Sequence, residues 1–285
     1  MLDRLFQPHW AGGWTAARVL FALSALGAHG QRASHIGDAY GVTDMVFDVA
    51  PFHMAQHVVL SEASAWQLWW ITTAALLLVL WGGRAAKIGV VVWLVAGWTF
   101  LASEALSVKA YDRLLLFIGL GMLAGPIHER GLTGKWRSPV GRWVLMLTFG
   151  ALYTSTGWFK ALTEPGWWTG DALAYDMVHQ WFGSRPLGVW LSGVPWAMKA
   201  LSWVTLAFEC TFAVLILFRR TNPWLLLVGV GMHLGIQVLM NVGPFSYVVF
   251  GAYPVLLHPE VARRLYLRWR RWRGLDPGPA AYIAA

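Results

Sequence analysis

A few polar side chains interrupt an otherwise apolar chain, and their spacing gives the first clue to chemistry. Lys160 closes the run Tyr153-x-x-Thr156-Gly157-x-x-Lys160, whose offsets of 3, 4 and 7 put all four residues on one helical face. A lysine held there in a partly desolvated pocket would present an amine able to take up a proton at ordinary pH. A lysine ending a membrane span and snorkelling to water is the alternative. His233, Gln237 and Asn241 stand four residues apart on another apolar stretch, followed by Gly243-Pro244-Phe245-Ser246-Tyr247. Such a stripe faces inward, where it can bind a polar head group, orient a reacting oxygen or join helices by hydrogen bonds. Glu209 sits in the middle of a further apolar run. An unpaired carboxylate at membrane depth costs a few kcal/mol, so Glu209 should be neutral or paired, with Lys160, His233 and Arg113 as available partners.

Other polar groups have more ordinary readings. Glu104, Lys109, Asp112 and Arg113 flank one turn and can simply be solvated there. His53-x-x-x-His57 has metal-ligand spacing on a helix, but no second histidine cluster completes a site, so no metal is expected. Cys210 is the one cysteine, which excludes an intramolecular disulfide or a Cys-x-x-Cys pair. Nucleotide, serine-hydrolase and zincin signatures are missing. The formal charge of +8 comes from loops and the tail after apolar segments, where membrane topology explains it better than nucleic acid does.

The elements that must position these residues follow from composition. Of 285 residues, 57% are apolar and only 13% charged, about half the charged share of a soluble domain. Together with a mean hydropathy of +0.51 this predicts an all-α, polytopic transmembrane helical bundle. About eight spans are expected, near 14–30, 66–83, 87–106, 112–127, 141–161, 196–218, 223–241 and 244–258. The first frames a short apolar core, Val19 to Ala28, that a signal peptide could also present. The last is short enough to be tilted or re-entrant. Fourteen Lys or Arg residues fall on one side of this topology against six on the other, which predicts an inner or plasma membrane with both termini cytoplasmic. The long connections 31–65 and 162–195 lie on the opposite side and should form a cap, the second carrying Trp167 and Trp168. Residues 1–258 read as a single transmembrane domain, and 259–285 as a basic cytoplasmic tail.

Two segments carry a family resemblance. Tyr153 to Leu173, YTSTGWFKALTEPGWWTGDAL, and Met232 to Tyr247, MHLGIQVLMNVGPFSY, resemble the membrane domain of vitamin K-dependent gamma-carboxylases and the related bacterial HTTM-domain proteins. A weaker third part is Ala16 to Leu20 with Asp112, Arg113 and Glu209. The resemblance implies chemistry on a reduced, vitamin K-like quinone. Lys160 would be the base that deprotonates it, oxygen would add, and the strong base so formed would prepare a carbon to capture carbon dioxide. His233 would help hold or polarise the quinol oxygens. Gln237, Asn241, Glu209, Asp112, Arg113, Tyr153, Trp167 and Tyr247 would surround the substrate. Phe159-Lys160 replaces the family's double lysine, and no histidine accompanies Tyr111-Asp112. Only about 27 residues follow the last span, so a protein glutamate substrate is not expected.

A competing reading is a non-enzymatic membrane partner or assembly subunit that binds lipid or another lipid-soluble small molecule, its polar residues satisfying one another across helices. A transporter would call for internal repeats, and none is convincing.

Overall fold

The computed structural model describes residues 8–40, 60–103, 110–129, 136–183 and 185–275. Eight helices fall where the sequence predicts spans: α1 (Gly13–Ala33), α3 (Glu62–Trp81), α4 (Arg84–Ser103), α5 (Ala110–Ala124), α6 (Val140–Thr163), α10 (Pro195–Leu215), α11 (Asn222–Leu239) and α12 (Phe245–Leu256). Five further elements complete the helices among the described residues: α2 (Ile36–Tyr40), α7 (Gly166–Thr169), α8 (Asp171–Val178), α9 (Pro186–Ser192) and α13 (Pro259–Trp272). Strand β1 (His9–Trp10) pairs antiparallel with β2 (Trp136–Arg137).

Boundaries follow local chemistry. The Ser61 hydroxyl caps α3 by accepting from the Ser64 N–H, and α3 ends at Gly82 and Gly83, both at positive φ. Proline opens α9, α10, α11 and α13 within their first two positions, where its missing N–H costs nothing. α12 is shorter than its predicted span and carries Pro254 near its end.

α3, α4, α10 and α11 are each long and apolar enough to cross a membrane. α1 and α6 match them in length but carry Arg18 and Arg142, respectively, inside the helix. The bundle leaves large apolar side chains on its outside, among them Leu147, Val95 and Trp70, which suits lipid as the surrounding solvent. α6 packs against α10 and α5, α3 against α4, and α1 against α12, so the first and last of the eight are neighbours and close the bundle. The main core runs through Phe21, Phe149, Phe212, Ile118 and Val249.

Three buried or half-buried cations serve helix ends. Arg18 of α1 donates to the Val79 and Leu80 carbonyls at the end of α3. Lys87 of α4 donates to Leu123 and Gly125 at the end of α5. Arg142 of α6 donates to Val255 and Leu256 at the end of α12, 3.2 and 3.3 Å away. The last turn of a helix leaves carbonyls without intrahelical donors and carries the negative end of its dipole, so a cation from a neighbour answers both demands. Asn222 adds a neutral version, donating to Ile216 and Leu256 carbonyls and accepting from the His258 N–H.

Candidate functional site

α6 organises the site by presenting one face to two partners. Tyr153, Gly157 and Lys160 lie along it over two helical turns, roughly 10 Å of axis. At its far end the Lys160 ammonium meets both carboxylate oxygens of Glu209 on α10, at 2.8 and 2.9 Å. The nearby Thr156 hydroxyl donates to the Leu152 and Tyr153 carbonyls of its own helix. Gly157 makes that approach possible: a methyl group there would sit 2.6 Å from Glu209 Cβ and 2.7 Å from the Cys210 nitrogen. Of the partners foreseen for Glu209, the fold selects Lys160.

The capping segment covers this pair. Trp167 of α7 lies with its ring 4.3 Å from Lys160 Nζ, a cation–π contact, and its indole N–H donates to Glu164 at 2.8 Å. The Trp168 indole donates to the Ala161 carbonyl, and the Trp203 indole of α10 donates to the Trp168 carbonyl. Gly170 joins α7 to α8 at φ +94, and its missing side chain admits the Lys199 backbone of α10. The predicted cap over 162–195 is therefore a set of short helices stitched to α6 and α10.

Between cap and bundle lies an open-sided cleft of about 700 Å³. Phe159, Trp167 and Tyr175 give it aromatic walls, Ser155 and Thr156 hydroxyls, and Lys160, Glu164 and Asp176 charge. Burial pushes the Asp176 carboxyl above its usual range, with Lys160 pulling the other way. Glu164 is a site residue that the sequence reading did not single out. It lies in the predicted outer connection, where an acidic side chain gives no signal apart from a solvated loop.

His233 occupies the other end of the α6 face, 1% exposed. Its Nε2 shares a 2.7 Å hydrogen bond with the Tyr153 hydroxyl, which reaches Tyr253 of α12 at 3.4 Å. Ser246 donates to the His233 carbonyl. His233 Nδ1 and, one turn along α11, Gln237 Oε1 are buried with no hydrogen-bond partner among the described residues. Lys160 and His233 are thus both shielded and both tied to α6, but His233 does not line the cleft. Tyr253 was missed because an aromatic inside an apolar run looks like ordinary core. Tyr153→Phe is expected to lower stability by about 1–2 kcal/mol, since it strips a buried imidazole of its hydrogen bond. Denaturant unfolding in detergent measures this.

The remaining candidates fall elsewhere. Asp112 pairs with Arg32 at 3.4 Å, and Arg32 lies over the Phe100 ring. Arg113 is exposed at the start of α5. Asn241 is exposed after α11, its N–H donating to the Phe182 carbonyl, and Tyr247 is exposed on α12. None of these four lines the Lys160 cleft. His53, His57, Glu104 and Lys109 lie outside the described residues. Among the described residues, no group of three or more His, Cys, Asp or Glu could hold a metal.

Residues 133–260 match the family model of the HTTM domain. The likeness is to the HTTM domain, over somewhat less than half of the chain. The matched stretch contains the whole α6 face together with Glu209, His233 and Gln237, and the chain around it has helices long and apolar enough to span a membrane. Arg32, Asp112 and Arg113 lie outside the HTTM match. No curated protein and no solved structure matches the chain significantly.

Proposed function

We propose that this protein binds a lipid-soluble quinol in the cleft beside Lys160. On this reading Lys160, with Glu209 as proton partner, is the base that starts oxidation or epoxidation, coupled in the carboxylase-like case to carboxylation. The observation that carries the reading is that an amine paired to a buried carboxylate forms part of the wall of a cleft of about 700 Å³ with flat aromatic sides. The residues present fit such a ring: Phe159, Trp167 and Tyr175 offer faces, and the Ser155 and Thr156 hydroxyl oxygens, whose own protons go to backbone carbonyls, can accept from its O–H groups. The unpartnered His233 Nδ1 and Gln237 Oε1 offer a second polar position deeper in the bundle. A reduced quinone, when bound, supplies an acidic hydroxyl and the electrons that reduce oxygen.

The chain's own part is proton handling. Passing one proton from Lys160 Nζ to Glu209, across 2.8 Å, turns the ion pair into a neutral hydrogen-bonded pair and frees the amine lone pair to accept another proton. Trp167 holds the amine in place from the cap side and helps exclude water. His233 acts as a positioning residue, fixing α6 through Tyr153.

The test compares wild type and Lys160→Ala in lipid nanodiscs supplied with reduced naphthoquinone and oxygen. Formation of epoxide or oxidised quinone should fall by about 10²–10⁴-fold, while quinone binding changes by less than about threefold. Equal turnover removes Lys160 from the chemistry. The two-pronged Lys160–Glu209 pair also favours a second reading, a membrane binder whose polar groups are purely structural. Its signature is a wild-type protein that retains the quinone but never turns it over.

A further inference from the structure

The tail after the last span is a helix of unusual construction. α13 begins three residues after α12 ends, so chain continuity keeps it beside that end of the bundle. Its inward face is fixed: Arg263 is buried beside Glu260, and Tyr266 packs on Trp10 of β1 with ring centres 5.4 Å apart. The Arg270 guanidinium donates to the Tyr266 hydroxyl. The rest of the helix divides into two exposed stripes. Leu265, Trp269 and Trp272 fall in one arc of roughly 60°, and Arg264, Arg268 and Arg271 fall in another about 100° away. Residues 259–275 contain six arginines against the single acid Glu260.

We propose that α13 is an interfacial helix that gathers anionic phospholipid head groups around the end of the bundle. Its Leu–Trp stripe would enter the head-group boundary, where tryptophan is favoured. The adjacent arginine stripe meets phosphates, which guanidinium forks bind in two-pronged fashion. Charge complementarity selects anionic over zwitterionic lipid, because each arginine near an anionic surface strengthens association about fivefold. Arg264, Arg268 and Arg271 are exposed, and among the described residues the hydrogen bond found for this stripe, from Arg271 to the Leu267 carbonyl, stays within α13. This lipid surface is independent of the quinol reading, since none of its residues lines the Lys160 cleft.

The experiment uses the full chain in a Cys210→Ser background with Leu265→Cys carrying a nitroxide label. The protein is reconstituted in nanodiscs of phosphatidylcholine alone or with about a third phosphatidylglycerol. Power saturation is expected to show the label reached by oxygen and shielded from an aqueous nickel chelate, more so with the anionic lipid. Native mass spectrometry should show the Arg264→Gln/Arg268→Gln/Arg271→Gln variant retaining at least about tenfold less phosphatidylglycerol than wild type. A label open to water in both mixtures overturns the proposal, as does one shielded equally in both. Equal lipid retention by the variant overturns it too, as does dipolar broadening from a second copy's label, which would make the face a protein interface. The label needs no arginine substitution, so the first arm stands even if the variant folds poorly.

Discussion

Lys160→Met should destabilise the bundle by about 2–3 kcal/mol, and Glu209→Leu by less, although each removes the same ion pair. Breaking a buried pair typically costs about 3–5 kcal/mol because one charge is left uncompensated in a poor solvent. The cost here is unequal because the exposures are unequal. The Glu209 side chain is 9% exposed and has nowhere to go, whereas Lys160 is 22% exposed and borders an open-sided cleft into which its ammonium can turn. The double variant Lys160→Met/Glu209→Leu should recover most of the loss, since two apolar side chains leave no orphan. Unfolding midpoints of all four proteins in mild detergent complete the cycle. A double variant less stable than Lys160→Met would show that the pair does more than neutralise itself.

Gly157→Val should have a comparable effect by a different route. The new Cβ meets the Glu209 Cβ at 2.6 Å and the Cys210 and Glu209 backbone at 2.7 and 2.8 Å, and backbone cannot swing aside as a flexible side chain can. α6 and α10 must therefore separate, at a cost of about 2–3 kcal/mol for overpacking a close helix contact. Because the same contact holds Lys160 against Glu209, the variant should also lose quinone turnover in the assay above while both charged residues remain. Gly231→Ala on α11 is the control, since nothing lies within 4 Å of that position. A Gly157→Val protein as stable as wild type would mean that the helices pack more loosely than described.

Much of this organisation is legible in the sequence. Apolar runs locate the eight bundle helices, four of which are long and apolar enough to cross a membrane, because hydropathy over about 19 residues is a strong signal. The offsets from Tyr153 to Lys160 correctly place those residues on one face, because helical periodicity acts locally. What periodicity cannot supply is which helix faces which. Glu209 had three possible partners, and only the packing of α6 on α10 through Gly157 settles the choice. His233 and Lys160, read as sharing one hollow, occupy opposite ends of a helix face, because Tyr153 intervenes. Asp112, grouped with the site, belongs with Arg32, a pairing set by the neighbourhood of α1 and α5. The tail, read only as basic, is a helix with three distinct faces, a pattern visible at 3.6-residue spacing once the tryptophans are weighed with the arginines.

The cations at the helix ends bear on biosynthesis. Arg18 belongs to the first long helix, but the carbonyls it serves are made only when α3 emerges, more than sixty residues later. A nascent chain holding α1 alone carries a guanidinium whose α3 acceptors do not yet exist, a costly state in an apolar setting. Arg142 extends that dependence from α6 to α12, which supplies its acceptors more than a hundred residues later. Order of synthesis therefore sets the earliest moment at which each of these guanidinium groups can be satisfied.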